Sequence, residues 1–268
     1  MQPPEHSVEC LASHAAGGKP TELAFTLDGE PRRVSVQVGK LSRQLLSGLS
    51  DRAVDLLEIA SIVYAVDALV SRGGTVMRQM GKHWYRRFAV RMSVRDIATW
   101  QEPDIRQALE ELLLFLSGDR FEFEFFERDD QSAPNERFFK FDADAAWTPD
   151  RVLMFSGGLD SVAGALEEIC DHGHKVARGR HFSATKIAPG QRGLATAIRE
   201  ALGPEVCTHY SIKVHIPGKN VVEGTHRTRS FLFAVLGAIV ADLFDLRRVS
   251  FHENGVVSLN LPPVSNVL

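Results

Sequence analysis

The sequence predicts an α/β protein, with a parallel sheet carrying helices on both faces and a smaller α+β domain in front of it. Two observations lead there. From Arg151 onward, short apolar strands alternate with helices, the pattern of a parallel sheet whose crossovers cover its faces. Before Asp142, a hairpin and alternating strands mix with two helices in no such order. The stretch 142–150 (DADAAWTPD) reads as the linker between them. At 268 residues the chain has room for two domains, and its 44% hydrophobic content supports a substantial core. The expected division is a leader over 1–20, an N-terminal domain over 21–141, the linker, and a C-terminal domain over 151–268.

Residues 1–20, rich in Pro, Gly, Ala and Ser, read as a loose leader. Residues 22–27 and 32–38 are β-like runs joined at Asp28-Gly29, a hairpin signal. Ser50 or Asp51 caps a helix over about 52–72, where Leu56, Ile59, Ile62, Val63, Val66 and Val70 recur at helical spacing before Gly73-Gly74. Trp84, Phe88, Val90, Met92 and Val94 share one strand face, with Arg87, Arg91 and Ser93 opposite. A helix runs from Pro103 to Gly118. Phe121, Phe123 and Phe125 then alternate with Glu122 and Glu124, the period of a half-buried strand whose phenylalanines pack in the core. Residues 129–136 read as a turn into a partner strand at 137–141. In the second half, strands are expected at 151–155, 180–183, within 206–216 and at 248–252, with helices at about 160–171, 191–202 and 228–243. Ligands bind beyond the carboxyl ends of parallel strands, which makes the loops after Phe155, Ser183 and His252 the candidate site.

A formal charge of −3 offers no global attraction to nucleic acid or to an anionic membrane. Cys10, Cys170 and Cys207 lie far apart without CxxC spacing, which suits a reducing cytosol. The longest apolar run, 231–241, falls short of the ~20 residues a spanning helix needs. The opening MQPPEHSVEC has no secretion-signal pattern, and a cytoplasmic protein is expected.

The chemistry concentrates in Ser156-Gly157-Gly158-Leu159-Asp160-Ser161, between an apolar strand and a helix. The glycines let the backbone turn sharply and approach a ligand closely. The helix that follows presents unpaired amides and the positive end of its dipole, a seat for an anion. Hydroxyls of Ser156 and Ser161 add donors. Asp160 would repel a bare phosphate and implies a Mg²⁺ ion between carboxylate and phosphate. No Lys-Ser/Thr pair ends the loop, so this is not a Walker A motif.

SGGLDS behind an apolar strand resembles the SGGxDS signature of N-type ATP pyrophosphatases (PP-loop enzymes), which activate an acceptor oxygen as an adenylate and release pyrophosphate. The resemblance implies an adenine nucleotide α-hydrolase-like (HUP-type) domain, with Ser156, Gly157, Gly158, Leu159, Asp160 and Ser161 holding the pyrophosphate end of ATP·Mg²⁺, and Asp160, Ser161 and Arg229 in catalytic roles. Gly190-Gln191-Arg192 is similar to the Gly-Gln-Arg of 7-cyano-7-deazaguanine synthases (QueC). Thr228-Arg229-Ser230, Glu253-Asn254-Gly255 and Ser258-Leu259-Asn260-Leu261-Pro262 resemble the QueC-like proteins of bacterial anti-phage systems, the QatC type in particular. Glu253 and Asn254, beyond the last strand, read as contacts to a purine-like base or a second metal, or as a plain turn, and Gln191 and Arg192 as substrate contacts or as an exposed helix start. The likeness implies the substrate-contact reading for all four, a deazapurine carboxylate or a conjugation group as acceptor, and partner proteins from a defence operon. Two departures stand out. The four-cysteine zinc site of QueC enzymes has no counterpart among three scattered cysteines. The family also continues beyond the point matching Leu268, which implies a C-terminally incomplete domain.

Arg227 and Arg229, at the start of the last helix, read as phosphate clamps or as solvated helix-start residues. His172 and His174 read as polar surface positions, and His181, His209, His215, His226 and His252 receive no role. Arg178, Arg180, Lys186 and Arg192 make the surroundings of the second strand basic, attracting ATP or only facing solvent. Two other readings stand beside the enzyme: a component that senses ATP or a modified base through partner proteins without turnover, and a tRNA- or base-modifying ligase. The acidic balance opposes nucleic acid as a direct target.

Overall fold

The computed structural model describes residues 5–11, 22–41, 50–72, 85–128, 139–141, 147–155, 158–181, 188–217, 221–224 and 227–252. In chain order the strands are β1 (Glu5–Cys10), β2 (Glu22–Leu27), β3 (Glu30–Leu41), β4 (Arg87–Val94), β5 (Arg120–Glu127), β6 (Phe139–Phe141), β7 (Arg151–Met154), β8 (Val176–His181), β9 (Cys207–His215) and β10 (Val249–Phe251). The helices are α1 (Asp51–Leu69), α2 (Ile97–Trp100), α3 (Pro103–Ser117), α4 (Leu159–Leu166), α5 (Ala188–Leu202) and α6 (Arg229–Leu243), and α4 runs on into a π-helical turn, Glu167–Asp171.

All described strands belong to one sheet, in the order β10-β7-β8-β9-β3-β2-β1-β4-β5, with β6 alongside β3. The four strands β10, β7, β8 and β9 are mutually parallel. β9 then pairs antiparallel with β3 through Ser35↔His215 to Val38↔Ile212, so one sheet runs across both halves of the chain. The β2–β3 hairpin turns at Asp28 (φ 53°) and Gly29 (φ 78°), the two positive values a primed two-residue turn requires.

Four expectations change or gain detail. Residues 5–10, read as part of a loose leader, form β1, whose alternation places Val8 and Cys10 in the core. The strand near 139 does not return onto β5; it pairs in parallel with β3, while β5 pairs in parallel with β4. The first half, read as α+β without a strand order, mixes an antiparallel hairpin with a parallel trio, β1, β4 and β5, and α2 and α3 cross from β4 to β5. The strand expected at 180–183 begins earlier, at Val176, where Val176 and Ala177 are fully buried.

Caps set the helix limits. Ser50 accepts the Ala53 amide at α1, Asp96 accepts the Thr99 amide at α2, and Pro103 opens α3, which Gly118 ends at φ 73°. In the parallel half, helices lie on both faces. Leu153, Phe155, Val176 and Cys207 pack with Ala165 and Ile169 of the α4 region and Ile198 of α5. Val152 and Ala177, pointing the other way, pack with α6 and α1. In the β1-β4-β5 trio, among the described residues, only one face is covered. Phe121, Phe123 and Phe125 are buried in a stacked row, as expected, while Arg87, Arg91, Glu122 and Glu124 pair in the open on the other face. Among the described residues, no helix is long and apolar enough to cross a membrane.

Candidate site at the carboxyl edge of the parallel strands

β7, β8 and β10 end at one edge of the sheet because they are parallel and in register, Met154 beside Gly179 and Phe251. The first turn of α4 rises from that edge. Gly158 is its N-cap (φ −78°, ψ 169°), and among the described residues no side-chain hydrogen bond caps the helix. The Gly158 carbonyl accepts both the Ser161 hydroxyl at 2.9 Å and the Val162 amide at 3.1 Å. Ser161 is 2% exposed, so its hydroxyl braces the turn from within. Leu159 is 83% exposed, and Asp160 also faces solvent. Among the described residues, the Asp160 carboxylate makes no hydrogen bond or ion pair. An exposed carboxylate without a protein partner, in the first turn of an uncapped helix, fits a hard cation shared with phosphate oxygens. A Mg²⁺ carried by a nucleotide needs only one or two carboxylates from the protein.

Ser156, Gly157, Glu253 and Asn254 lie outside the described residues. Gln191 closes the first turn of α5 and Arg192 opens the second, because the helix begins at Ala188 rather than at Gln191; it follows β8, the strand next to β7. Arg229 is the first residue of α6, on the opposite face from α4, with its guanidinium 5.0 Å from the centre of the Phe233 ring. Burial pushes the neighbouring Tyr64 phenol up, and the positive charge of Arg229 offsets part of that rise.

Strand polarity puts a second charged group at this edge. β3, β1, β4 and β5 run opposite to β7–β10, so the amino ends of β4 and β5 share the edge with the carboxyl ends of β7, β8 and β10. There Asp67 and Asp119, both fully buried, hold Arg72 and Arg86 between them. Asp67 also accepts the amide and the hydroxyl of Thr228, each at 2.9 Å, and so holds the start of α6 from outside. Glu223 accepts the Arg72 amide at 2.8 Å, and Arg227 donates to the Ser117 carbonyl at 3.2 Å. Burial alone would push the Asp67 carboxyl up. Arg86, the Thr228 amide and Arg72 reverse this and hold it below the ordinary aspartate range. Burial, with the charge of Arg72, pulls the Arg227 guanidinium below its usual value.

Sequence reasoning missed this network, although the signal was present. Asp55, Glu58 and Asp67 sit inside α1, a helix buried almost all round, where a carboxylate persists only if paired. Asp55 and Glu58 meet Arg95 and Arg128 at the opposite edge. A cleft of about 640 Å³ also lies away from the α4 turn, walled by Ile97, Trp100, Gln101, Arg106, Phe125 and Glu127. It opens beside β5, the edge strand farthest from β10, and the Trp100 indole N–H there is engaged by Asp55.

No family model, no curated protein and no solved structure matches this chain.

Proposed function

We propose that the chain binds ATP·Mg²⁺ at the β7–α4 turn and cleaves it between the α- and β-phosphates, passing AMP to an acceptor oxygen. The observation behind this reading is Ser156-Gly157-Gly158-Leu159-Asp160-Ser161 set between a buried parallel strand, β7, and a helix whose N-cap is a glycine with no side-chain cap among the described residues. On this reading the parallel half is of the adenine nucleotide α-hydrolase-like type. The acceptor oxygen attacks the α-phosphorus, the bond to the bridging oxygen breaks, and pyrophosphate leaves with the electron pair. Amides of the first turn of α4 stabilise the charge that builds on the departing oxygens. Asp160 holds the metal ion, which neutralises phosphate charge when bound. Leu159, exposed at the head of the helix, lies against the nucleotide, and Ser161 keeps the turn in shape. Arg229, together with Gln191, Arg192, Glu253 and Asn254, serves the acceptor and the adenylate. The likeness to QueC-type proteins favours a deazapurine carboxylate or a conjugation group as acceptor, in anti-phage defence alongside partner proteins.

Incubating the purified chain with ATP, Mg²⁺ and candidate acceptors tests the reading by product. Pyrophosphate is expected in an amount equal to AMP carried on the acceptor plus free AMP, the latter released when water or a nucleophile displaces it from the adenylate. ADP and phosphate would refute cleavage at the α-phosphorus, and tight ATP binding with no pyrophosphate from any acceptor would favour the sensing role.

A further inference from the structure

Two helical glycines grip the β7–β10 pair, one from each face. On the α6 side, a Cβ added to Gly237 would stand 2.7 Å from Val249 Cγ1 and 3.0 Å from Met154 Sδ. On the α4 side, a Cβ added to Gly164 would stand 2.1 Å from His252 Cγ, 2.2 Å from Nδ1 and 2.4 Å from Cδ2. The two contacts differ in what can yield. At Gly237 the nearest atom is a single terminal methyl of Val249, a few tenths of an ångström too close, with Met154 Sδ near the end of a flexible side chain, whereas at Gly164 the nearest atom, Cγ, is the root of the imidazole and lies far inside contact distance. It retreats only if χ1 swings or the end of β10 moves. His252 follows directly on Phe251, which pairs with Met154 of β7. Its Nε2 is buried and has no hydrogen-bond partner among the described residues, so packing rather than polar contact holds the ring. Gly164 lies one helical turn after Asp160.

We propose that His252 is a positioning residue: its ring, seated on the bare backbone of α4 at Gly164, fixes where the first turn of that helix meets the phosphates. The inference rests on the nucleotide role given to that turn. Any side chain at Gly164 drives α4 and β10 apart by roughly 1 Å, and misplacement on that scale can cost about 10²-fold in a positioned reaction. The imidazole acts through its shape, so a phenyl ring substitutes for it.

Affinity for ATP·Mg²⁺, read by calorimetry beside thermal unfolding, decides the matter in five variants of the full chain. Gly164→Ala should weaken binding at least ~10-fold, and adding His252→Ala should restore most of the loss, the coupling expected of residues in contact. Alone, His252→Ala should weaken binding several-fold and His252→Phe should not, which keeps the test open if Gly164→Ala fails to fold. Gly237→Ala should lower the melting temperature yet leave affinity within about twofold, a difference that separates positioning from general packing damage. Unchanged affinity in Gly164→Ala or His252→Ala, no rescue in the double variant, or an equal affinity loss in Gly237→Ala would overturn the proposal while wild-type binding stands. A wild-type chain that does not bind ATP·Mg²⁺ would instead refute the nucleotide reading, and this inference with it.

Discussion

The helices α4 and α6 both start at the carboxyl edge of the parallel strands, and each has an aspartate at its head, but the two aspartates are used in opposite ways. Asp67 is fully buried and engaged on both oxygens, by Arg72 and Arg86 on one and by the amide and hydroxyl of Thr228 on the other. Asp160 is exposed and, among the described residues, unengaged. A helix start is a partial positive charge that favours an anion. At α6 the protein fills that seat with its own carboxylate. At α4 the N-cap is a glycine, and among the described residues no side-chain hydrogen bond caps the helix. On the proposed reading a phosphate takes the seat at α4, whereas at α6 Asp67 already occupies the corresponding place.

The contrast predicts crossed effects, and the largest is on activity. Asp160→Asn should lower pyrophosphate release by about 10²–10³-fold, the cost of losing an electrostatic stabiliser of the leaving group, while urea unfolding shifts by less than ~0.5 kcal/mol. Asp67→Asn should do the reverse in kind. It leaves two buried guanidinium groups short of a counter-charge, and breaking such a network costs on the order of 3–5 kcal/mol. If the stability loss fell on Asp160→Asn instead, the assignment of the two aspartates would be inverted. Thr228→Val removes one donor to Asp67 and keeps the other, and should cost about 1 kcal/mol.

Acid sharpens the same comparison. The Asp67 carboxyl is held below its unfolded value, so the unfolded chain binds its proton first as pH falls. Its contribution is complete above the unfolded aspartate value of roughly 4 and is lost as pH drops below that toward the depressed folded value. Unfolding free energy measured across this window should fall more steeply in the wild type than in Asp67→Asn.

The parallel half was legible in the sequence because its signals are local. Runs such as Val152-Leu153-Met154-Phe155 and the glycines behind them state strand, turn and helix within a few residues, and the residues around Gly158 appear where the pattern places them. What escaped depends on distant pairing. Residues 5–10 look like leader until Val8 and Cys10 are given the β4 and β2 neighbours that bury them. Nothing near Phe139 indicates that its partner is Val38, a hundred residues earlier by position. Similarly, Asp67 and Thr228 announce their meeting in neither local pattern, and His252 acquires a role only once Gly164 is found beneath its ring. Charges inside an apolar helix and a lone glycine in a helix interior were the available clues, and each marks a close approach without saying to what.

The smallest effect is expected at the thiols, where burial again separates the sealed from the open. Cys10 is packed under β2, donates to the Ala24 carbonyl at 3.3 Å, and is pushed up to about 12, chiefly by burial and then by the charge of Glu58. Cys207 is fully buried, whereas Cys170 lies exposed in the π-helical turn after α4. Because the thiolate is the reacting form, a polar alkylating reagent at pH 8 should modify one thiol in the native chain and three after denaturation. Modification of Cys170 should shift unfolding by less than ~0.5 kcal/mol, since its side chain fills no core position. Labelling of Cys10 requires the sheet to open, so its rate reports the opening equilibrium. It should match the wild type in Asp160→Asn and rise in Asp67→Asn in proportion to the stability lost; equal rates in the two variants would place Asp67 outside the unit that opens.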